Sequence, residues 1–253
     1  FSMPSWTKFL SLHPLADGID RLNYLITALM VFIFSIIVFA KQFFGSPVEC
    51  WTESEFKEEW DQYVESFCFG DNTYTLPSKV DVPDFSFAKK SSGTSIYQYV
   101  PLFLAIQAIM FFLPNFVWLM LHKLSGIDLQ FTTSDKVSAE RIATYLHDAT
   151  NRRIFKCIKG NWFATALYFS TKIAYIANLL FQMLLIAYIM GNGNLFWAFT
   201  AFNSPAFPQE VHCDVEVQIV ANIGKHTVPC TLTINGLNET IYRFLWLWFL
   251  AVL

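Results

Sequence analysis

The chain has 253 residues, of which 54% are hydrophobic, 18% aromatic and 15% charged, with a formal net charge of −3. That leaves too little polar surface to cover a water-soluble fold of this size, which excludes an ordinary soluble domain. The apolar residues are gathered into runs, the pattern of a chain that crosses a bilayer several times.

In chain order, residues 1–21 form a short segment ahead of the first run. Leu22 to Ala40 then gives 19 residues without a charge, close to the ~20 that span a bilayer as a helix. Nothing before it resembles a cleavable signal peptide, so this run is expected to serve also as the insertion signal. Residues 41–99 make a first long loop. Within it, Thr52 and Glu55 stand at the spacing of a capping box. Phe56, Trp60, Val64 and Phe67 follow at helical intervals with carboxylates between them, which predicts a short amphipathic helix packed on its neighbours. The loop carries ten Asp/Glu against five Lys/Arg, read as an acidic, solvated face. Lys79 to Ser95, with its prolines and serines, reads as an irregular lead into the next run.

The second run covers 100–121. Pro101 lies near its start, where a missing N–H costs nothing. Pro114 lies inside it, where it would bend the helix to fit its surroundings. Residues 122–161 form a basic loop that contains Cys157. The third run, 162–190, is interrupted only by Lys172, read as sitting at the cytoplasmic edge with its ammonium reaching the interface. Residues 191–240 make the second long loop. There Val215, Val217 and Ile219 alternate with Glu216 and Gln218, and Val228, Leu232 and Ile234 follow a turn at Asn222-Ile223-Gly224-Lys225, which predicts a β-hairpin. A fourth run, 241–253, has 13 residues. At about 1.5 Å per residue it falls short of a core ~30 Å thick, so the chain is expected to stop inside its fourth span.

Orientation follows from Lys and Arg counted by segment. The basic loop 122–161 holds seven, residues 41–95 five, residues 1–21 two and residues 191–240 one. The middle loop and the N-terminal segment are therefore read as cytoplasmic and the two long loops as extracellular. Four cysteines fall in those long loops, Cys50 and Cys68 in the first, Cys213 and Cys230 in the second. Thiols oxidise outside the cell and stay reduced within it, so the four are expected in disulfides and Cys157 as a free, bystander thiol. Four cysteines allow three connectivities. Bridges within each loop would close small rings, whereas bridges between loops would tie both into one cap.

At this point the residues resemble a known family. Tyr97-Gln98-Tyr99-Val100-Pro101 is similar to the YYQWVP signature of innexins, the invertebrate gap-junction proteins, and stands where they have it, leading into the second span. The resemblance extends to Asp20-Arg21-Leu22, to Gly45, Pro47, Cys50 and Trp51, and from Cys213 through His226, Cys230 and Asn235 to Asn238-Glu239. Phe244-Leu245-Trp246-Leu247-Trp248-Phe249 looks like the aromatic opening of the innexin fourth span. The basic loop, about 40 residues, is shorter than the resemblance leads one to expect.

The resemblance implies an all-α transmembrane subunit with four membrane-spanning helices and disulfide-linked extracellular loops, a short helix in the first and a β-hairpin in the second. It implies a ring, an octamer by analogy, as a homo-oligomer or a hetero-oligomer with related subunits, lying among membrane lipids around a central pore. Such a hemichannel in the plasma membrane docks with an opposed hemichannel to pass ions and small molecules. It also implies the pairs Cys50 with Cys230 and Cys68 with Cys213, and a path lined by the N-terminal segment, the first span and the first outer loop. The alternatives are an undocked hemichannel of pannexin type and a non-conducting tetraspan scaffold. Asn238-Glu239-Thr240 fits a glycosylation sequon but abuts the fourth span, so its use is not expected. The five histidines share no metal-ligand spacing. No phosphate loop, nucleophile elbow or paired carboxylates mark an enzyme; no cofactor, metal or nucleic-acid partner is expected.

Overall fold

The computed structural model describes residues 18–52, 58–70, 73–74, 96–122, 140–141, 143–144, 147, 153–155, 158–199, 204, 206–219 and 222–253. Cys157 and Phe56, like Glu55 of the expected capping box, lie outside them. Among the described residues, three helices are long and apolar enough to cross a membrane: α1 (Gly18–Phe44), a helix within Ile96–Leu121, and one within Thr165–Gly191. The second opens on a 3₁₀ turn, Ile96–Tyr99, and continues as α3 (Val100–His122), running on past Pro114. The third belongs to α4 (Gly160–Gly191). Their exposed faces are apolar, from Phe32, Ile33 and Ile36 in α1 to Phe169, Ile173 and Leu184 in α4, as a lipid-facing surface requires.

The last helix, α5 (Thr233–Val252), corrects the sequence-based boundary. It has 20 residues and at ~1.5 Å per residue is about 30 Å long. It begins eight residues before Ile241, because Asn235, Asn238 and Glu239 belong to its buried face. A boundary drawn from apolar residues alone passes over a helix that opens with polar ones.

The loop between α1 and α3 contributes β1 (Glu49–Cys50), α2 (Glu58–Phe69) and β2 (Thr73–Tyr74). The buried positions on α2 are Val64 and Cys68, four apart on one face, while Trp60 is exposed. The helix therefore turns its Cys68 side inward, rotated from the Trp60–Phe67 stripe that hydrophobicity alone suggests. Between α3 and α4, Arg153–Phe155 (β3) pairs with Ile158–Lys159 (β4).

The loop between α4 and α5 holds β5 (Glu210–Ile219) and β6 (Asn222–Thr231), paired antiparallel over their full lengths. The register runs from Glu210 opposite Thr231 to Ile219 opposite Asn222. Asn222 to Lys225 are therefore strand, not turn. Alternation sets this register: Val211, Cys213, Val215 and Val217 turn inward on one strand, Val228 and Cys230 on the other. Leu232 lies past the strand end, its N–H donating to the Gln209 carbonyl at 2.8 Å, and Ile234 lies in α5. The hairpin is also not alone. β1 joins β6 and β2 joins β5, giving a four-stranded sheet in the order β1-β6-β5-β2.

By its internal contacts the chain divides into two compact units. One comprises Phe1–Met30, Gln107–Phe181 and Val252–Leu253; the other comprises Val31–Ile106 and Gln182–Ala251. In the first, Tyr24 stacks on Tyr175 and Trp118 meets Tyr168 edge-on. In the second, Ser35 of α1 donates to the Pro101 carbonyl at 2.8 Å, and Phe34 meets Phe244 edge-on. Hydroxyl-to-backbone bonds of this kind join helices where no water competes.

Candidate functional site

Two disulfides tie the long loops to each other. Cys50 is bonded to Cys230 and Cys68 to Cys213, with sequence separations of 180 and 145. Cys50 and Cys230 lie directly opposite in the β1–β6 pair. Cys213 faces Thr73 across the β5–β2 pair, and α2 brings Cys68 to it. The Sγ atoms of Cys50, Cys68 and Cys230 lie within 4.8 Å of one another. As half-cystines they offer no thiolate to a metal; the proximity records two bridges packed side by side.

The Tyr97–Pro101 motif works on the same body. Tyr97 is buried, and its hydroxyl donates to the Phe69 carbonyl at 3.2 Å while its ring packs against Phe69. Gln98 Nε2 donates to the same carbonyl at 2.7 Å. Phe69 ends α2, where the last carbonyls lack intrahelical partners. The motif therefore caps the helix that carries Cys68. Gln98 also accepts, through its own carbonyl, a bond from Gln42 Nε2 at 3.2 Å. Val100 is buried, Pro101 supplies the carbonyl that Ser35 bonds, and Tyr99 is exposed. At the other end of α2, Thr52 Oγ1 donates to Asp61 Oδ1 at 2.7 Å.

The start of α5 is fixed to the end of α1 and to the second loop. Thr233 Oγ1 donates to the carbonyls of Ser46 and Pro47, the Ile234 N–H to Pro47, and Asn235 Nδ2 to Pro208. One turn on, Arg243 pairs with Glu239 at 3.1 Å, a nearly enclosed i,i+4 ion pair. Arg243 also donates to the Ala198 carbonyl and lies over the Trp197 ring. A buried pair holds only when its remaining hydrogen-bonding groups are met, and the Trp197–Phe199 turn supplies part of that. Asn238 is fully enclosed at 0% exposure, so its sequon cannot carry a glycan in this fold.

On the sheet, Asp214 Oδ1 accepts from the Tyr74 hydroxyl at 3.0 Å and from Thr227 Oγ1 at 2.8 Å. Burial, and then the bond to Asp214 with its negative charge, hold the Tyr74 phenol above its ordinary pKa, with Thr227 opposing in part. Tyr74 thus stays protonated and keeps donating. Lys225 and Glu216 pair across the strands at 2.7 Å in full solvent, where water and salt screen the attraction.

Away from the loops, Lys172 has a specific partner. Its Nζ lies 2.5 Å from Asp20 Oδ2 and 5.3 Å from the centre of the Tyr168 ring. Sequence reading placed Lys172 at an interface; its counter-ion, from a different helix 152 residues away, carried no local signal.

The fold and these contacts define a class: a multi-span membrane protein whose two long loops are clasped into one cystine-linked, sheet-containing body. The chain belongs to the innexin family, whose model, described as Innexin, matches residues 16–253. It is similar to Innexin-3 of Caenorhabditis elegans, 34% identical over 91% of this chain and 62% of that protein. Innexin unc-9 of the same organism is 32% identical over 97% of this chain and 73% of its own length, and Innexin eat-5 31% identical over 93% and 64%. The chain thus spans about two thirds of the length of these relatives.

Proposed function

We propose that the protein is a gap-junction channel subunit of the plasma membrane. In this reading α1 and α3 to α5 are four spans; the bias of Lys and Arg supports a cytoplasmic N-terminal segment and α3–α4 loop, with the two cystine-bearing loops outside. Subunits assemble around a central pore, an octamer by analogy, alone or with related subunits. Two such rings in apposed membranes dock through the outer loops and pass ions and small molecules. This is transport without covalent chemistry, not an enzyme.

One observation carries the reading. Segments 145 and 180 residues apart are locked into a single outer body by the two bridges. Docking favours such a body, because a surface already ordered loses little conformational entropy on contact. The short helix α2 and the β5–β6 hairpin are the parts of it we assign to the two loops. The Cys50–Cys230 and Cys68–Cys213 pairs, with Tyr97 and Gln98 capping α2, hold its shape. The reading is tested by expressing the full-length protein in paired cells. Junctional conductance above that of uninjected pairs supports it, and images of purified particles should show rings joined end to end. Rings that never pair, with current only across the single membrane, would instead support the undocked hemichannel. The enclosure of Asn238 speaks against a glycan there keeping rings apart.

A further inference from the structure

The inner end of α1 is not a regular α-helix. Leu22–Thr27 is a π-helical stretch between α-helical Gly18–Arg21 and Ala28–Phe44. Thr27 is fully buried, and its hydroxyl bonds the Leu22 carbonyl five residues back at 2.9 Å. A π turn holds one residue more than the α turn it replaces, is rare, and recurs at functional positions.

The charges beside it supply a reason for the extra residue. Asp20 lies two residues before the π stretch and pairs with Lys172 of α4; Arg21, between them in sequence, is exposed. Suppose the stretch became α-helical with Ala28 onward held in place. Each residue of an α-helix turns the chain by about 100°, so every position before Leu22 would shift by one residue around the axis. Arg21 would then occupy the place that Asp20 holds, and a guanidinium would face the Lys172 ammonium. The π form puts opposite charges together and the α form like charges, at a site where Asp20 and Lys172 side chains are only 13% and 28% exposed and charge is poorly screened.

We propose that Lys172 is a positioning residue: through Asp20 it selects the π register of Leu22–Thr27 and so sets the rotation of the inner end of the first span. Tyr168, against the Lys172 ammonium, and Tyr175, stacked on Tyr24, complete the seat on α4. The consequence is a two-register element whose states differ in which side of α1, Asp20 or Arg21, is turned to α4. Resting on the channel reading above, the inference makes this rotation a determinant of conductance and of its dependence on voltage.

The test uses the full-length protein in paired cells. Lys172→Glu repels Asp20 in the π register and attracts Arg21 in the α register, so it should shift the voltage of half-maximal junctional conductance. Adding the exchange Asp20→Arg with Arg21→Asp mirrors the wild-type arrangement, opposite charges in the π register and like charges in the α register, and should return the wild-type value. A single variant that behaves as wild type, or a triple variant that stays at the single variant's value, overturns the proposal. If Lys172→Glu does not reach the cell surface, Lys172→Arg and Lys172→Gln are compared in its place. Wild-type behaviour of Arg with a shift for Gln supports the pair, and wild-type behaviour of both overturns it. Wild-type protein that gives no current at all would fail the channel reading, a result distinct from normal currents with unaltered variants.

Discussion

Gln98 shows how much a single side chain joins in this protein. Its amide donates to the carbonyl that ends α2, and its own carbonyl is held by Gln42 of α1. Gln98→Ala should lower the stability of the solubilised protein by about 1 kcal/mol, the net value of one such bond. Tyr97→Phe, which keeps the ring against Phe69 and loses the hydroxyl, should cost no more. Thermal unfolding of both variants checks this, and a Gln98→Ala midpoint equal to wild type would remove the capping role. Asn238 gives a second residue-scale prediction. Because its side chain is enclosed, treatment of cell-expressed protein with an N-glycosidase should produce no mobility shift that Asn238→Gln abolishes. Motif residues stood out in the sequence, yet their work did not. Nothing in Tyr97-Gln98 itself announces a helix end nearly thirty residues upstream, because capping in trans depends on where the chain folds back.

At the scale of elements, legibility followed the size of the periodic signal. The long apolar runs and the alternating strands of the second loop could be read, since each repeats its pattern several times. The two-residue strands β1 and β2 could not, being too short to show any period. The first two turns of α5 carry little apolar signal because polar residues there face inward, and hydrophobic spacing does not mark the inward face of α2 because Cys68, not Trp60, is its anchor. The junction after α4 makes a sharper prediction. Gly191 ends that helix with Trp197 folded against it, and a Cβ added there would lie 2.7 Å from the Trp197 Cβ. Gly191→Ala should destabilise the protein by about 1–3 kcal/mol, the usual cost of overpacking. It should also displace the Trp197–Phe199 turn that receives Arg243. A lowered melting midpoint together with reduced surface delivery is the expected result; an unchanged midpoint would show that the turn can shift freely.

For the whole molecule, the bridges decide most. Composition and the bias of Lys and Arg gave a topology, but residue counting left three pairings open; the choice between them came from resemblance, since pairing is a property of the folded loops. Peptide mapping of non-reduced protein should recover Cys50 with Cys230 and Cys68 with Cys213. Cys68→Ser or Cys213→Ser should remove roughly 2–5 kcal/mol of stability and abolish junctional conductance, whereas normal cell-to-cell current in either variant would separate docking from the bridges. Order of synthesis adds a further demand. Cys50 and Cys68 precede α3 and α4, while their partners follow both. On the proposed topology the first two cysteines reach an oxidising compartment as thiols long before Cys213 and Cys230 exist. A newly made first loop can therefore bond only to itself or to another protein. Its final form waits on insertion of two more spans, and the close packing of three of the four sulfurs gives an early, wrong bond a short path to exchange into the right one. Assembly of the outer surface is in this sense a check that the rest of the chain has been delivered to the membrane.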